Sequence, residues 1–158
     1  MTTTPETARC HGGKLPPRPV IRAAWLVHRA IHRLSFGRMG LRPASETGWG
    51  MMRLRTIGRK SGHERFAILG YYEDGPNLVT MAMNGWGAPE PAWWMNLQAS
   101  PNATVALRDR TLDVRGRAAT PEERPRLWDL WRRYDGEELD AWASRRPHET
   151  AVVILEPR

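Results

Sequence analysis

The stretch that most limits the fold is Phe66-Ala67-Ile68-Leu69-Gly70-Tyr71-Tyr72, followed by Glu73-Asp74-Gly75-Pro76-Asn77 and a second apolar run over residues 78–83. Two apolar runs joined by a polar Gly-Pro turn are the signature of a β-hairpin. Strands joined this tightly lie antiparallel, because a parallel pair needs a crossover of a dozen residues or more. The same punctuation recurs along the chain. Residues 51–57 alternate hydrophobic and basic positions into a glycine-bounded turn at 58–62; residues 104–107 and 111–117 flank Arg108-Asp109-Arg110; and residues 151–155 close the chain as a buried strand. Six short strands, most of them joined by hairpins, predict an α+β fold that is mainly β: an antiparallel barrel with peripheral helices rather than a doubly wound parallel sheet.

Helical signals surround these strands. Residues 1–18 mix Thr, Pro and Gly without periodicity and read as a flexible tail. Pro19 opens an amphipathic pattern over residues 19–36, with Val20, Ala24, Val27, Ile31 and Leu34 on one face and Arg22, Arg29 and Arg33 on the other. Such a helix packs onto the domain formed by residues 37–158 or lies on an anionic membrane surface. Pro91 starts a short helix that Ser100-Pro101 stops. Thr120-Pro121-Glu122-Glu123 matches a capping box and opens a helix to about Tyr134, and a second helix covers residues 137–145.

Charge and composition narrow the function. The net charge of +7 comes almost wholly from arginine, since Lys14 and Lys60 are the lysines. A basic chain favours an anionic partner, but the arginines are scattered rather than massed on a stripe, which disfavours nucleic acid. No apolar run approaches the length of a membrane span, and the N-terminus lacks the basic-then-apolar order of a secretory signal. One cysteine, Cys10, cannot form an internal disulfide, and no Cys/His spacing resembles a zinc site, so a cytoplasmic setting without a metal is expected. There is no GxGxxG fingerprint followed by an acidic residue and no Walker A spacing, which sets aside the dinucleotide fold and the nucleoside triphosphatases.

Two clusters suit a ligand. Gly58-Arg59-Lys60-Ser61-Gly62, with Arg65 just beyond, lets backbone N–H groups, two cations and a hydroxyl converge on one oxyanion, although a solvated hairpin loop has the same composition. Asn84, Trp86, Trp93, Trp94 and Asn96 combine flat aromatic surface with amides, as a planar heteroaromatic ligand requires; equally, the tryptophans would plug the barrel end while Asn96 caps local backbone. His63-Glu64 and His148-Glu149 lack the spacing of a zinc-protease helix, and Ser61 sits in a turn better suited to anion binding than to nucleophilic attack.

Thr-x-Gly-Arg-Lys-Ser-Gly-x-x-Arg, then Ala-x-Asn-Gly, then Pro-Ala-Trp-Trp-x-Asn-Leu-x-Ala-x-Pro, in this order, resemble the deazaflavin-dependent nitroreductase family, split β-barrel oxidoreductases of the FMN-binding type that use coenzyme F420. The resemblance runs from about Gly40 to Leu155-Glu156-Pro157. It implies that Arg59, Lys60 and Ser61 hold the phosphate of the cofactor and that Arg65 adds a cation. Phe66, Ala67, Ile68 and Leu69 would line the cofactor, and Met81, Ala82, Met83, Asn84, Trp93, Trp94 and Asn96 would flank the ring. The implied chemistry is hydride transfer to an electron-poor small molecule such as a quinone, enone or nitro compound, with FMN as the alternative cofactor. Met83 stands where many members carry Ser, and Tyr134 is the one tyrosine in the helices before the last strand, accompanied by Trp128, Trp131 and Trp142; it is the candidate proton donor.

Overall fold

The computed structural model describes residues 40–136 and 138–158, and for Tyr134 the backbone alone. The expected tail over 1–18 and the amphipathic helix over 19–36 lie outside the described residues. Within them, six strands run β1 (Gly50–Ile57), β2 (Glu64–Asp74), β3 (Asn77–Met81), β4 (Asn102–Ala106), β5 (Thr111–Ala118) and β6 (Val152–Pro157). They close an all-antiparallel barrel in the order β1-β2-β3-β6-β5-β4, with β4 pairing back onto β1. Three helices accompany it: α1 (Ala92–Ala99) between β3 and β4, then α2 (Arg124–Asp135) and α3 (Glu138–Ala143) before β6.

The β2–β3 hairpin is tighter than the polar run suggested, because Asp74 pairs directly with Asn77. The two-residue turn places Gly75 at φ 60°. Positive φ at the first position, with proline's fixed negative φ at the second, is the primed geometry that matches strand twist. The other boundary differs too. β3 stops at Met81 rather than Met83, since Ala82 donates its N–H to Ala151 and the chain then turns through a 3-10 segment, Asn84–Trp86.

Period-two alternation sorts the side chains into two apolar layers. Met52, Leu54, Tyr71, Leu78, Val105, Val114, Val153 and Leu155 fill the barrel interior, and Trp94 and Leu97 of α1 join them. On the outside, Tyr72, Val79, Met81 and Ile154 pack beneath Leu127, Trp128 and Trp131 of α2 and Leu139 of α3. Trp131 is fully buried and meets Tyr72 edge-on, with centroids 4.3 Å apart at 67°.

The capping box forms as the sequence predicts. Glu123 receives the Thr120 N–H at 2.8 Å while Thr120 Oγ1 accepts the Glu123 N–H at 3.3 Å, although the regular helix begins at Arg124, one turn later than expected. Arginines tie this outer layer to the barrel. Arg117 of β5 bonds both Glu123 and Glu156 at 2.7 Å, and Arg126 forks onto Asp74 at 2.7 and 2.8 Å. The Arg117 guanidinium, helped by the Thr120 N–H, holds the Glu123 carboxyl down to about 2. Arg126 likewise lowers Asp74. The indole N–H of Trp128, 2.7 Å away, lowers Asp140.

Candidate functional site

Between β1 and β2 the chain reverses around Gly58. Its carbonyl accepts the N–H groups of Ser61 and Gly62 at 3.1 and 2.8 Å, and its N–H donates to His63 O at 2.8 Å. Gly62 sits at φ 67°, where glycine is free to go. A Cβ on Gly58 would stand 2.8 Å from Ser61 Oγ, 3.2 Å from His63 O and 3.3 Å from Arg65 Cγ. The two flanking glycines are therefore structural requirements of this turn.

Strand alternation then sorts charge. Glu64 faces away with Arg55, which it pairs, whereas Arg65 lies on the other face opposite Thr56 and donates to Ser61 Oγ at 3.1 Å. Arg59 and Lys60 are exposed and make no ion pair among the described residues, unlike Arg55, Arg110, Arg117, Arg124, Arg126, Arg132 and Arg146. This corner presents two unpaired cations, a third cation and a hydroxyl, which is the donor set for a phosphate-sized anion.

The turn is braced from α1. Asn96 is buried, its Oδ1 accepting the Arg59 N–H at 3.1 Å and its Nδ2 donating to Thr56 Oγ1 at 3.1 Å. Its carboxamide is engaged at both ends, so Asn96 acts on the backbone of the cationic turn. The two clusters singled out in the sequence are thus joined, with the helix that carries Trp93 and Trp94 clamped to the cationic turn. Trp94 is buried in the barrel interior, and Trp93 is half-buried with its ring 6.3 Å from that of Trp94.

The remaining candidates divide. On β2, Arg65, Ala67 and Leu69 share the face of Thr56, Leu54 and Met52, while Phe66 and Ile68 point the other way with Arg55 and Arg53. Phe66 is 52% exposed beneath the Arg53 guanidinium. A strand presents alternate side chains, so these four side chains do not line one surface. Met81 packs against the outer helices, and Ala82 against the interior. Met83 is half-buried, and exposed Asn84 donates to Pro89 O at 2.8 Å. Tyr134 belongs to α2, and its side chain lies outside the described atoms.

The turn after β3 carries strain. Asn84, Gly85 and Trp86 all have positive φ, at 46°, 58° and 62°. For a bulky residue such as tryptophan this conformation is an outlier that costs about 1–3 kcal/mol and persists only where the surroundings impose it. Trp86 meets Trp142 of α3, with ring centroids 6.1 Å apart. Arg146, which the sequence reading passed over, reaches this loop from beyond α3, donating to Ala82 O at 2.6 Å and Gly87 O at 3.1 Å. As one arginine among many, it carried no local signal.

Among the described residues, no group of three His, Cys, Asp or Glu side chains is placed to hold a metal ion. Nor is any described helix long and apolar enough to cross a membrane.

Comparison with known proteins places the chain among relatives of known family and fold. An F420H(2)-dependent quinone reductase of Mycobacterium tuberculosis (strain ATCC 25618 / H37Rv) is 27% identical over 135 residues, spanning 84% of this chain and 89% of that protein. The solved structure of an F420-H2 dependent reductase (FDR-A) superposes with a TM-score of 0.60 at 25% identity, covering 74% of this chain and all of that one. A chain solved as a domain-swapped dimer shares the fold, with a TM-score of 0.61 at 23% identity over 85% of this chain and 99% of its own. Residues 27–157 match the family described as F420H(2)-dependent quinone reductase, and the chain belongs to that family.

Proposed function

We propose that this chain binds reduced coenzyme F420 at the anion corner and uses it to reduce a quinone. One observation carries the reading: the unpaired cations Arg59 and Lys60 sit on a turn that Asn96 locks to the tryptophan-bearing helix α1. Such a braced unit would suit both ends of an elongated cofactor, a phosphate tail and a planar ring.

The Gly58 cradle fits a phosphate, because the backbone there admits no Cβ and Ser61 is held by Arg65 with its own hydroxyl proton left to donate outward. Arg59, Lys60, Ser61 and Arg65 bind the phosphate and draw in the acidic tail. When bound, the reduced deazaflavin supplies a hydride from its C5 position. Met83 and Asn84, with Trp93, orient the ring, and the packed barrel end keeps water away from it. The acceptor gains a hydride and a proton, a quinone becoming a hydroquinone. Enones and nitro compounds are electron-poor in the same way and belong in the same screen. Residues 19–36, basic and amphipathic, would bring the site to the anionic membrane surface where quinones partition.

Titrating the chain with F420 and with FMN by tryptophan fluorescence, then offering quinone, enone and nitro acceptors, tests the reading. Quenching by F420 and oxidation of the reduced cofactor by a quinone support it. Binding of FMN alone would move the chain to flavin chemistry, and loss of liposome sedimentation on removing residues 1–36 is the result expected of a membrane contact.

A further inference from the structure

One guanidinium grips both ends of the strained turn after β3. The Arg146 side chain is fully buried, and its two carbonyl partners, Ala82 and Gly87, immediately bracket the turn 83–86. It also donates to Thr150 Oγ1 at 2.9 Å, which anchors it to the start of β6. Inside that grip the turn makes short bonds of its own, Trp86 N–H to Met83 O at 2.7 Å and Gly87 N–H to Asn84 O at 3.1 Å. Three successive residues at positive φ do not hold such a shape unaided, and the fork across their two ends is what imposes it.

We propose that Arg146 is a positioning residue of the ring site, holding residues 83–87 in place through the Ala82 and Gly87 carbonyls, and that Glu90 and His148 set how firmly it does so. What the turn presents to a ligand rests on the deazaflavin reading; the clamp itself belongs to the chain alone.

The outer partners of the guanidinium compete. His148 Nε2 lies 2.8 Å from Arg146 Nη2 and also 2.8 Å from Glu90 Oε1, with Glu90 Oε1 3.5 Å from Arg146 Nη2. An arginine only donates and an ionised carboxylate only accepts. A neutral ring with bare Nε2 takes the hydrogen bond of Arg146. A protonated ring donates its Nε2–H to Glu90 Oε1 and turns a like charge toward the guanidinium. One nitrogen cannot do both, so protonating His148 removes a partner from the clamp. Among the described residues, the charged groups bonded to His148 are Arg146 and Glu90; the neighbouring Glu149 is taken by Arg124 at 3.0 Å.

The test uses the full chain with Arg146→Lys, Glu90→Gln and His148→Gln. Amide exchange at Trp86 and Gly87 is read without cofactor, against the strand amides of the barrel as internal reference, and F420 affinity is read by tryptophan quenching. Lysine cannot span both carbonyls, so Arg146→Lys is expected to lower protection at these two amides ~10-fold and raise the Kd for F420 ~5- to 10-fold, with strand protection unchanged. Glu90→Gln, which keeps the buried arginine, shifts both in the same direction and stands in should Arg146→Lys fail to fold. His148→Gln, which removes the ring nitrogen that takes a hydrogen bond of Arg146, is expected to lower protection at Trp86 and Gly87 as well, by less than Arg146→Lys. Wild-type protection at Trp86 and Gly87 in Glu90→Gln and in any folded Arg146→Lys overturns the proposal. If the wild type itself shows no quenching by F420, the cofactor reading has failed, and the exchange data still decide the clamp.

Discussion

Replacing Asn96 by Ala separates two roles for this residue. An amide that meets the edge of a bound ring would be dispensable in the free chain. The structure instead shows it bonded at 3.1 Å to the Arg59 N–H and at 3.1 Å to Thr56 Oγ1, with 4% of its surface exposed. Removing it strands a partly buried backbone N–H, at about 1–3 kcal/mol, and deprives the buried Thr56 hydroxyl of its partner, at about 0.5–1.5 kcal/mol. The expected loss is about 1.5–4.5 kcal/mol without any cofactor, which for a domain of this size lowers Tm by about 3–18 °C. Urea unfolding of the two chains without cofactor measures it directly. F420 affinity should also fall, since the turn carrying Arg59 and Lys60 loses its brace. An Asn96→Ala chain as stable as the wild type but unable to bind F420 would refute the brace and put the amide at the ligand.

Three further outcomes follow from the same geometry. Gly58→Ala places a methyl group 2.8 Å from Ser61 Oγ; it should displace Ser61 and Arg65 and weaken F420 binding by about tenfold or more while leaving the barrel folded, as read by titration and circular dichroism. Glu123 has its folded value depressed to about 2 from the ordinary 4.5, so its stabilising contribution is present above about pH 4.5 and disappears as pH falls toward 2. The Tm gap between the wild type and Glu123→Gln should therefore close over that interval, and a gap independent of pH would contradict the Arg117 pairing. Trp131→Ala empties the centre of the outer layer and should cost about 3–5 kcal/mol in chemical unfolding.

The barrel was readable because each hairpin declares itself locally. Gly75-Pro76 marks a turn without reference to anything distant, and alternation along 51–57 already separates Met52 and Leu54 from Arg53 and Arg55. The strand ends were harder. The apolar run 78–83 hides the point where φ changes sign at Asn84, since nothing in Ala82-Met83 forbids further strand. The cationic turn was visible as composition, two glycines around two cations and a serine. Its bracing was not, because Asn96 and Arg59 are brought together only once α1 has packed against the end of β1. For the same reason the resemblance grouped Asn96 with the ring and did not reveal its bonds to Arg59 and Thr56. Arg146 depends wholly on tertiary structure: its partners Ala82 and Gly87 are some sixty residues earlier in the chain.

The most direct test of the central claim compares F420 with a deazaflavin truncated before the phosphate, on the wild type and on the Arg59→Ala/Lys60→Ala double variant. If the turn holds the tail and α1 with the β3 turn holds the ring, the wild type prefers the intact cofactor by about 100-fold or more. The double variant should lose most of that preference while binding the truncated ring as the wild type does. Equal affinity of the wild type for the two compounds, or a double variant that keeps the preference, would contradict the account.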